Sequence, residues 1–596
     1  MTLFRCGGPH PLERRFDRWL HEHLQRFSRH RHRPSIGRLG KPIPCATRLG
    51  RRQARRTTSR TTPARPPGNV NEHQPTKRGE PDSTRPNIVL IVTDQHRRDH
   101  LGRLDERFVT PHLDRLAEKA MVFERAVVAN PICMPNRATL ATGRMPSVHG
   151  TRFNGLPLDD RATTFMQSLA DAGYRTGLIG KLHLQNMGDH PEIAAAVVDR
   201  TLRNDAVSMP PTGWDSWELK TRYDDPNGEH DIVPGWYGFE HAELAIDHGD
   251  VVGGHYALWL RDQGVDPEAI RGQAHALVTD ETWSEIRQPA VNTDLYHSAW
   301  VGKRSAAFIE ADDPRPYFIQ VSFPDPHHPF TPPGDRYHRY DHRSLEPPKS
   351  FYDSHVSSMP HLQRLTEKRG HQGFHLSAFA PTVEQYQRAL AAEIATIELI
   401  DEAVGEVLAA VERAGDNTIV IFTSDHGDMF GDHGLMLKTA MHYRAVLEVP
   451  LFIAGPGITQ GRSHSLVSTL DLAQTICALA GVEPFWGMQG HDLTPILREP
   501  AAQVRDHVLV EEDQLFDLAG LGQPLRMRTI VTRDTRLTRY AGSSSGELYD
   551  LTVDPEEMHN LDADPDSAAL RATTMEQLAD SLADHADRDR RPAFMA

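Results

Sequence analysis

Cys133-Met134-Pro135-Asn136-Arg137, running on through Ala-Thr-Leu-Ala to Thr142-Gly143-Arg144, is the sharpest short motif in the chain. Its residues fit two readings. One is a plain helix start, with Pro in the first turn, Arg in solvent and Cys as a small apolar filler. The other is a site built around Cys-x-Pro-x-Arg, and the pattern alone does not choose between them. Other reactive side chains stand in short clusters far from it. Asp94-Gln95 closes the run Asn87-Ile-Val-Leu-Ile-Val-Thr93, and Ser424-Asp425-His426-Gly427 closes the run from Thr418 to Thr423. Lys181 and His183 end Leu178-Ile-Gly-Lys-Leu-His, where strand alternation puts both on one face of an extended segment. An isolated Lys-x-His of this kind is more often ordinary surface.

These clusters need a scaffold that brings distant chain segments together. The runs at Asn87 to Thr93, Tyr317 to Phe323 and Thr418 to Thr423 are continuously apolar, as buried parallel strands are. Helical patterns lie between them. The clearest runs through Leu390, Ile394, Ile397, Val404, Leu408 and Val411 and stops at Gly415. This alternation predicts an α/β fold, a large and mostly parallel mixed sheet with helices on both faces. Open sheets of that kind bind ligands at the carboxyl ends of their strands, so Asp94-Gln95 and Ser424 to Gly427 are expected on one rim. Past Trp486 the pattern changes to short segments, Arg526 to Arg536 and Glu547 to Leu551, followed by a helix, which reads as a smaller C-terminal α+β subdomain. The expected organisation is a basic arm over 1–85, a main domain over 86–485 and the C-terminal subdomain over 486–596.

In order along the chain, Pro86 to Gly102 with its Asp94-Gln95, Cys133 to Arg144, Gly180-Lys181-Leu-His183, Ser424 to Gly427, and Gly546-Glu-Leu-Tyr-Asp-Leu551 with Asn560-Leu561 resemble the sulfatase family. That family belongs to the alkaline-phosphatase-like superfamily. The resemblance covers everything from Pro86 to about Pro565 and leaves the basic arm outside. It makes 86–485 a sulfatase catalytic domain. It implies that a formylglycine-generating maturation enzyme oxidises Cys133 to formylglycine, whose hydrated aldehyde is the nucleophile. The second hydroxyl of such a gem-diol can lose a proton and expel sulfate by C–O cleavage, so water need not attack a hindered anion. Position 136 is Asn where the family most often has Ser; the Cys, Pro and Arg of the motif remain. The helix after Cys133 would aim its N-terminal N–H groups at the anion.

The same resemblance assigns the other clusters. Asp94, Gln95, Asp425 and His426, with the modified Cys133, would hold a divalent metal. Two carboxylates and an amide oxygen suit Ca²⁺, while the imidazole leaves Mg²⁺ or Mn²⁺ open. The ion would neutralise sulfate charge and favour the deprotonated diol. Lys181 and Arg137 would hold the diol, and His183 would take its proton as sulfate leaves. Phe323-Pro-Asp-Pro-His327-His328-Pro-Phe330 resembles the family's Pro-His-x-Pro-Phe loop, which makes His327 the sulfate contact and acid for the leaving oxygen, with His328 its competitor. Lys438, twelve residues after His426, matches a family lysine that contacts sulfate.

Composition narrows the remaining choices. The apolar runs of this 596-residue chain are too short to cross a bilayer, and four Cys without a C-x-x-C pair form neither a disulfide scaffold nor a zinc site. Residues 1–85 carry 20 Lys and Arg against 6 Asp and Glu, whereas the remainder carries 46 against 75. The acidic body is a poor nucleic-acid binder, and the Arg- and Pro-rich arm is expected to be disordered. No apolar stretch follows Arg14-Arg15 to make a secretory signal, so a cytoplasmic location is expected, away from membranes. Between Gln185 and Trp300 the family motifs vanish and six of the eight Trp appear, either to stack on aryl groups or sugars or to build the core of an insert. The expected reaction is hydrolysis of a small-molecule or carbohydrate sulfate monoester. Two alternatives stand beside it. One is a phosphonate or phosphate diester hydrolase using the same formylglycine, although relatives acting on phosphonates replace the Lys181/His183 pair. The other is an inactive binding protein on the same fold.

Overall fold

β1 (Asn87–Thr93) shows why the chain folds as it does. Ile88, Val89, Leu90, Ile91 and Val92 are all fully buried, Ile88, Leu90 and Val92 in one apolar cluster and Val89 and Ile91 in another. A strand apolar on both faces is stable only between two covering layers. The computed structural model describes residues 85–188, 213–372, 377–515, 517, 521 and 523–589. The arm expected over 1–85 lies outside the described residues except for Arg85, which donates to the Ala172 carbonyl (3.0 Å).

The strands that follow β1 are β2 (Met121–Val127), β3 (Arg175–Gly180), β4 (His241–Ile246) and β5 (Gly253–Gly254). A separate two-stranded ribbon, β6 (Val278–Thr279) with β7 (Arg287–Gln288), precedes β8 (Tyr317–Ser322) and β9 (Thr418–Ser424). β10 (Glu448–Val449), β11 (Leu451–Ala454) and β12 (Gly461–Ser468) complete the main sheet. Among the described residues its order is β10-β2-β11-β9-β1-β8-β3-β4-β5, with β12 also on β2. β9, β1, β8, β3 and β4 run parallel, so five consecutive carboxyl ends share one rim. The registers Thr93↔Ser424 and Val92↔Ser322 level those ends. That register brings Asp94 beside Asp425, although 330 residues of chain separate them.

The expected long helix spans Val383–Ala414 and stops before Gly415. It begins seven residues ahead of Leu390, at a capping box in which Thr382 and Gln385 exchange side-chain-to-backbone bonds. Its apolar stripe covers the Val89/Ile91 face. β13 (His507–Asp513), β14 (Arg526–Thr532), β15 (Thr535–Tyr540) and β16 (Gly546–Asp550) form an antiparallel C-terminal sheet. The helix Ala568–Asp584 packs Leu578 into its core. The segment read as Arg526 to Arg536 is two strands: Thr532 Oγ1 accepts N–H bonds from Asp534 (3.2 Å) and Thr535 (2.9 Å), a side-chain turn without glycine. Trp236, Trp283 and Trp300 are buried in the main core, Trp236 in the cluster of Ile88 and the other two in that of Val89.

Candidate active site

The rim supplies the site one strand at a time. Beyond β1, Asp94 is fully buried, and its N–H is taken by the Asp325 carbonyl after β8 (3.0 Å). Gln95 turns into the left-handed region (φ 65°) and donates its own N–H to Asp425 Oδ1 (3.0 Å). Beyond β9 come Asp425 and His426, both without exposure. The helix Cys133–Thr142 delivers Cys133 at its first residue; Ile132 ahead of it offers no cap, Asn154 Oδ1 takes the Met134 N–H instead (3.1 Å), and Gly143 closes the other end at φ 63°. The loop before it is fixed by the C-terminal sheet, through Glu511 N–H to Ala129 O (3.0 Å) and Asn130 Nδ2 to Glu511 O (2.6 Å).

Arg137 is the hub beneath Cys133. Its Nε donates to Asp425 Oδ2 (2.7 Å), its Nη2 to Asp94 Oδ2 (3.1 Å), and its Nη1 to Lys181 O and Ser322 Oγ (both 2.9 Å). The solvated-Arg reading of the motif therefore fails, because the guanidinium is buried and bridges two carboxylates. Asn136 also has a job: Nδ2 bonds Asp425 O (2.5 Å) and Oδ1 accepts from Thr469 (2.9 Å), tying the helix to the end of β9.

Lys181 pairs with Asp94 and lies 2.5 Å from His248 Nε2. Burial opposes ionisation of Asp94, but the cations Lys181, Arg137 and Lys438 outweigh it and hold that carboxyl well below its usual range. Lys438 Nζ reaches Gln95 Oε1 (2.7 Å), His426 Nε2 (3.0 Å) and Cys133 Sγ (3.2 Å). Three cations thus converge on one buried pocket, which favours an anion.

Asp94, Cys133, Asp425 and His426 each offer a donor atom, all within 4.8 Å of one another. His426 Nδ1 is held by the Gly427 carbonyl (2.9 Å), so Nε2 presents its lone pair beside Cys133 Sγ (3.1 Å). Burial pushes His426 down to about 4, and it stays neutral at pH 7, as a ligand must. With Gln95 Oε1 adjacent through Lys438, the set is two carboxylates, an amide oxygen and an imidazole. That chemistry fits a hard divalent cation.

His327 is sandwiched between the rings of His248 (3.7 Å) and His328 (4.2 Å). Burial first, then the charge of Lys438, keep it well below the ordinary imidazole value. His328 Nδ1 faces the Gln95 amide instead (3.4 Å). His183 departs from the alternation expected of it. Its backbone turns at φ 57°, because the N–H groups of His183 (2.5 Å), Leu184 and Gln185 (both 2.8 Å) all donate to the Glu218 carboxylate. His183 is buried, and its Nδ1 has no hydrogen-bond partner.

Sequence reasoning missed Glu218 and His248. Glu218 carries no motif. His248 did carry a signal: Asp247-His248-Gly249 after β4 repeats Asp425-His426-Gly427 after β9.

A mixed sheet in this order, with an acid-and-cation cluster over its strand ends, is that of an alkaline-phosphatase-like hydrolase. The chain belongs to the sulfatase family, whose model matches residues 86–482. A second model, described as N-sulphoglucosamine sulphohydrolase, C-terminal, matches 431–584. An arylsulfatase of Clostridium perfringens is 27% identical over 80% of this chain and 90% of its own. A choline-sulfatase of Rhizobium meliloti is 27% identical over 82% and 85%. The phosphonate monoester hydrolase of Agrobacterium radiobacter, a solved structure, is 26% identical, with TM-score 0.65 over 85% of this chain and 100% of its own. The chain is thus a sulfatase enzyme, of a family that generally uses formylglycine and a divalent metal. Among the described residues no helix is long and apolar enough to cross a membrane.

Proposed function

We propose that this sulfatase hydrolyses an organic sulfate monoester through a formylglycine made from Cys133. The observation that carries this reading is the position of Cys133 Sγ, at the head of a helix, within reach of His426 and Lys438 and directly above the Arg137 bridge. Formylglycine would supply a hydrated aldehyde with one hydroxyl to attack sulfur and a second to release sulfate. Asp94, Gln95, Asp425 and His426 would hold the cation, most simply Ca²⁺, which would withdraw charge from the bound sulfate. Arg137 and Lys181 would orient the diol, and Lys438 would neutralise a sulfate oxygen. His183, neutral and with Nδ1 unpartnered among the described residues, would accept the proton of the second hydroxyl, which its neutrality supports. His327 would face the leaving oxygen.

The likeness to a phosphonate monoester hydrolase favours a second reading, a phosphonate or phosphate diester hydrolase on the same residues. Retention of Lys181 and His183 supports sulfate. Turnover of an aryl sulfate against the matching aryl phosphonate by the purified enzyme separates the two. The expected result is a higher kcat/KM for the sulfate; preference for the phosphonate would replace this reading.

A further inference from the structure

His248 lies outside the residues that carry the family resemblance, yet it is buried against Lys181. Its ring is fixed from behind. Lys220 Nζ donates to Asp247 Oδ2 (2.7 Å), and Asp247 Oδ1 lies 3.3 Å from His248 Nδ1. A carboxylate at Nδ1 selects the Nδ1–H tautomer and leaves the Nε2 lone pair facing outward. That lone pair meets the Lys181 ammonium at 2.5 Å, while the same ammonium pairs with Asp94. An ammonium has three N–H donors. Asp94 takes one and His248 takes another, so the third is left for an anion.

The backbone is shaped for this contact. Gly249 has φ 50°, and a Cβ there would lie 2.5 Å from the Pro329 carbonyl. The His248 ring can therefore lie flat on His327 at 3.7 Å because the two loops touch. Without the imidazole, Lys181 would keep Asp94 but lose the contact that fixes its direction, and its four-carbon stem would swing.

We propose that His248 is a positioning residue: the Lys220–Asp247–His248 chain aims the Lys181 ammonium at the bound anion. The proposal rests on Lys181 being an anion contact, so its test includes a readout that does not need turnover. Crystal structures of His248→Ala and His248→Gln are compared with the parent. Gln Oε1 falls near the position of imidazole Nε2 and can accept the same N–H bond. Lys181 Nζ should leave its site or lose density in His248→Ala and keep its place in His248→Gln. In kinetics, His248→Ala should lower kcat/KM about 10- to 100-fold, and His248→Gln should recover most of that loss. In a double-mutant cycle, adding His248→Ala to Lys181→Ala should cost nothing further, since the two act as one unit. A role confined to stacking on His327 would give losses that multiply and no rescue by Gln, and would overturn the proposal. So would a Lys181 that stays put in His248→Ala. Should no sulfate ester be turned over by the parent enzyme, the functional reading fails while the Lys181 positions still decide this one.

Discussion

The same tripeptide, Asp-His-Gly, ends β9 and β4, and the two copies are used differently. At 425–427 both side chains face the pocket. Asp425 is neutralised from the front by Arg137, and His426 is held at Nδ1 by its neighbour's carbonyl and meets Lys438 at Nε2. At 247–249 the carboxylate stands behind the imidazole and is pulled outward by Lys220, so only His248 reaches inward. Both glycines permit close approach, since a Cβ on Gly427 would run into the Ala445 carbonyl as one on Gly249 would meet Pro329. What separates the copies is the carboxylate. Each imidazole Nε2 meets an ammonium, His426 that of Lys438 (3.0 Å) and His248 that of Lys181 (2.5 Å), but Asp425 turns inward onto Arg137, which also holds Asp94, whereas Asp247 turns outward onto Lys220. Asp247 and Gly249 are left-handed (φ 83° and 50°) while Asp425 and Gly427 are not, so the shared tripeptide settles neither the backbone nor the chemistry.

Substitution of the two aspartates gives the sharpest contrast. Asp425→Ala would remove a donor of the proposed metal set and strand Arg137, so turnover should fall at least about 10³-fold, with loss of bound metal. Asp247→Ala only loosens His248 and should cost about tenfold, with metal content unchanged. Both are read by steady-state kinetics and elemental analysis of the same preparations. Equal losses, or metal loss in both, would erase the distinction between the two copies.

Metal removal probes one side of the comparison. Exhaustive chelation should abolish turnover, and Ca²⁺ should restore it. Asp247 and His248 stand outside the donors Asp94, Gln95, Asp425 and His426, so Asp247→Ala enzyme should recover to its own lower plateau. Full activity after chelation would leave Asp425 and His426 without the role given to them.

A smaller effect concerns Glu218, which ties down the turn at His183. Burial raises its carboxyl from 4.5 to about 7, despite three backbone donors. Between those pH values the folded protein holds a proton that the unfolded chain has lost. Stability should therefore fall as pH rises from 4.5 to about 7, by about 3 kcal/mol in all. Glu218→Gln should flatten that slope in thermal melts taken across the window, and lower turnover by less than about tenfold. An unchanged slope would show that the carboxyl titrates normally.

The parts visible in the sequence were those with local signatures. Continuous apolar runs named β1, β8 and β9, and the rule that ligands gather at strand ends placed Asp94 and Asp425 together. The helix stripe from Leu390 to Val411 was plain, but its start was not, because the Thr382–Gln385 box lies ahead of the first apolar position. His248 and Glu218 stayed hidden for a different reason. His248 matters because β4 lies beside β3, and Glu218 because its loop folds back onto the turn at 183–185, and no spacing encodes either relation. Likewise, the orientation of His183 comes from a carboxylate 35 residues away rather than from strand alternation.

The central claim is that Cys133 becomes an aldehyde on which the surrounding cations and acids act. It is tested most directly by the mass of the peptide containing Cys133 from purified protein, together with capture of that peptide by a hydrazine reagent. The account predicts a fraction of peptide shifted from thiol to aldehyde, with specific activity proportional to that fraction across expression hosts, and no activity in Cys133→Ala protein that still folds. An unmodified thiol at full activity, or an active Cys133→Ala protein, would contradict it.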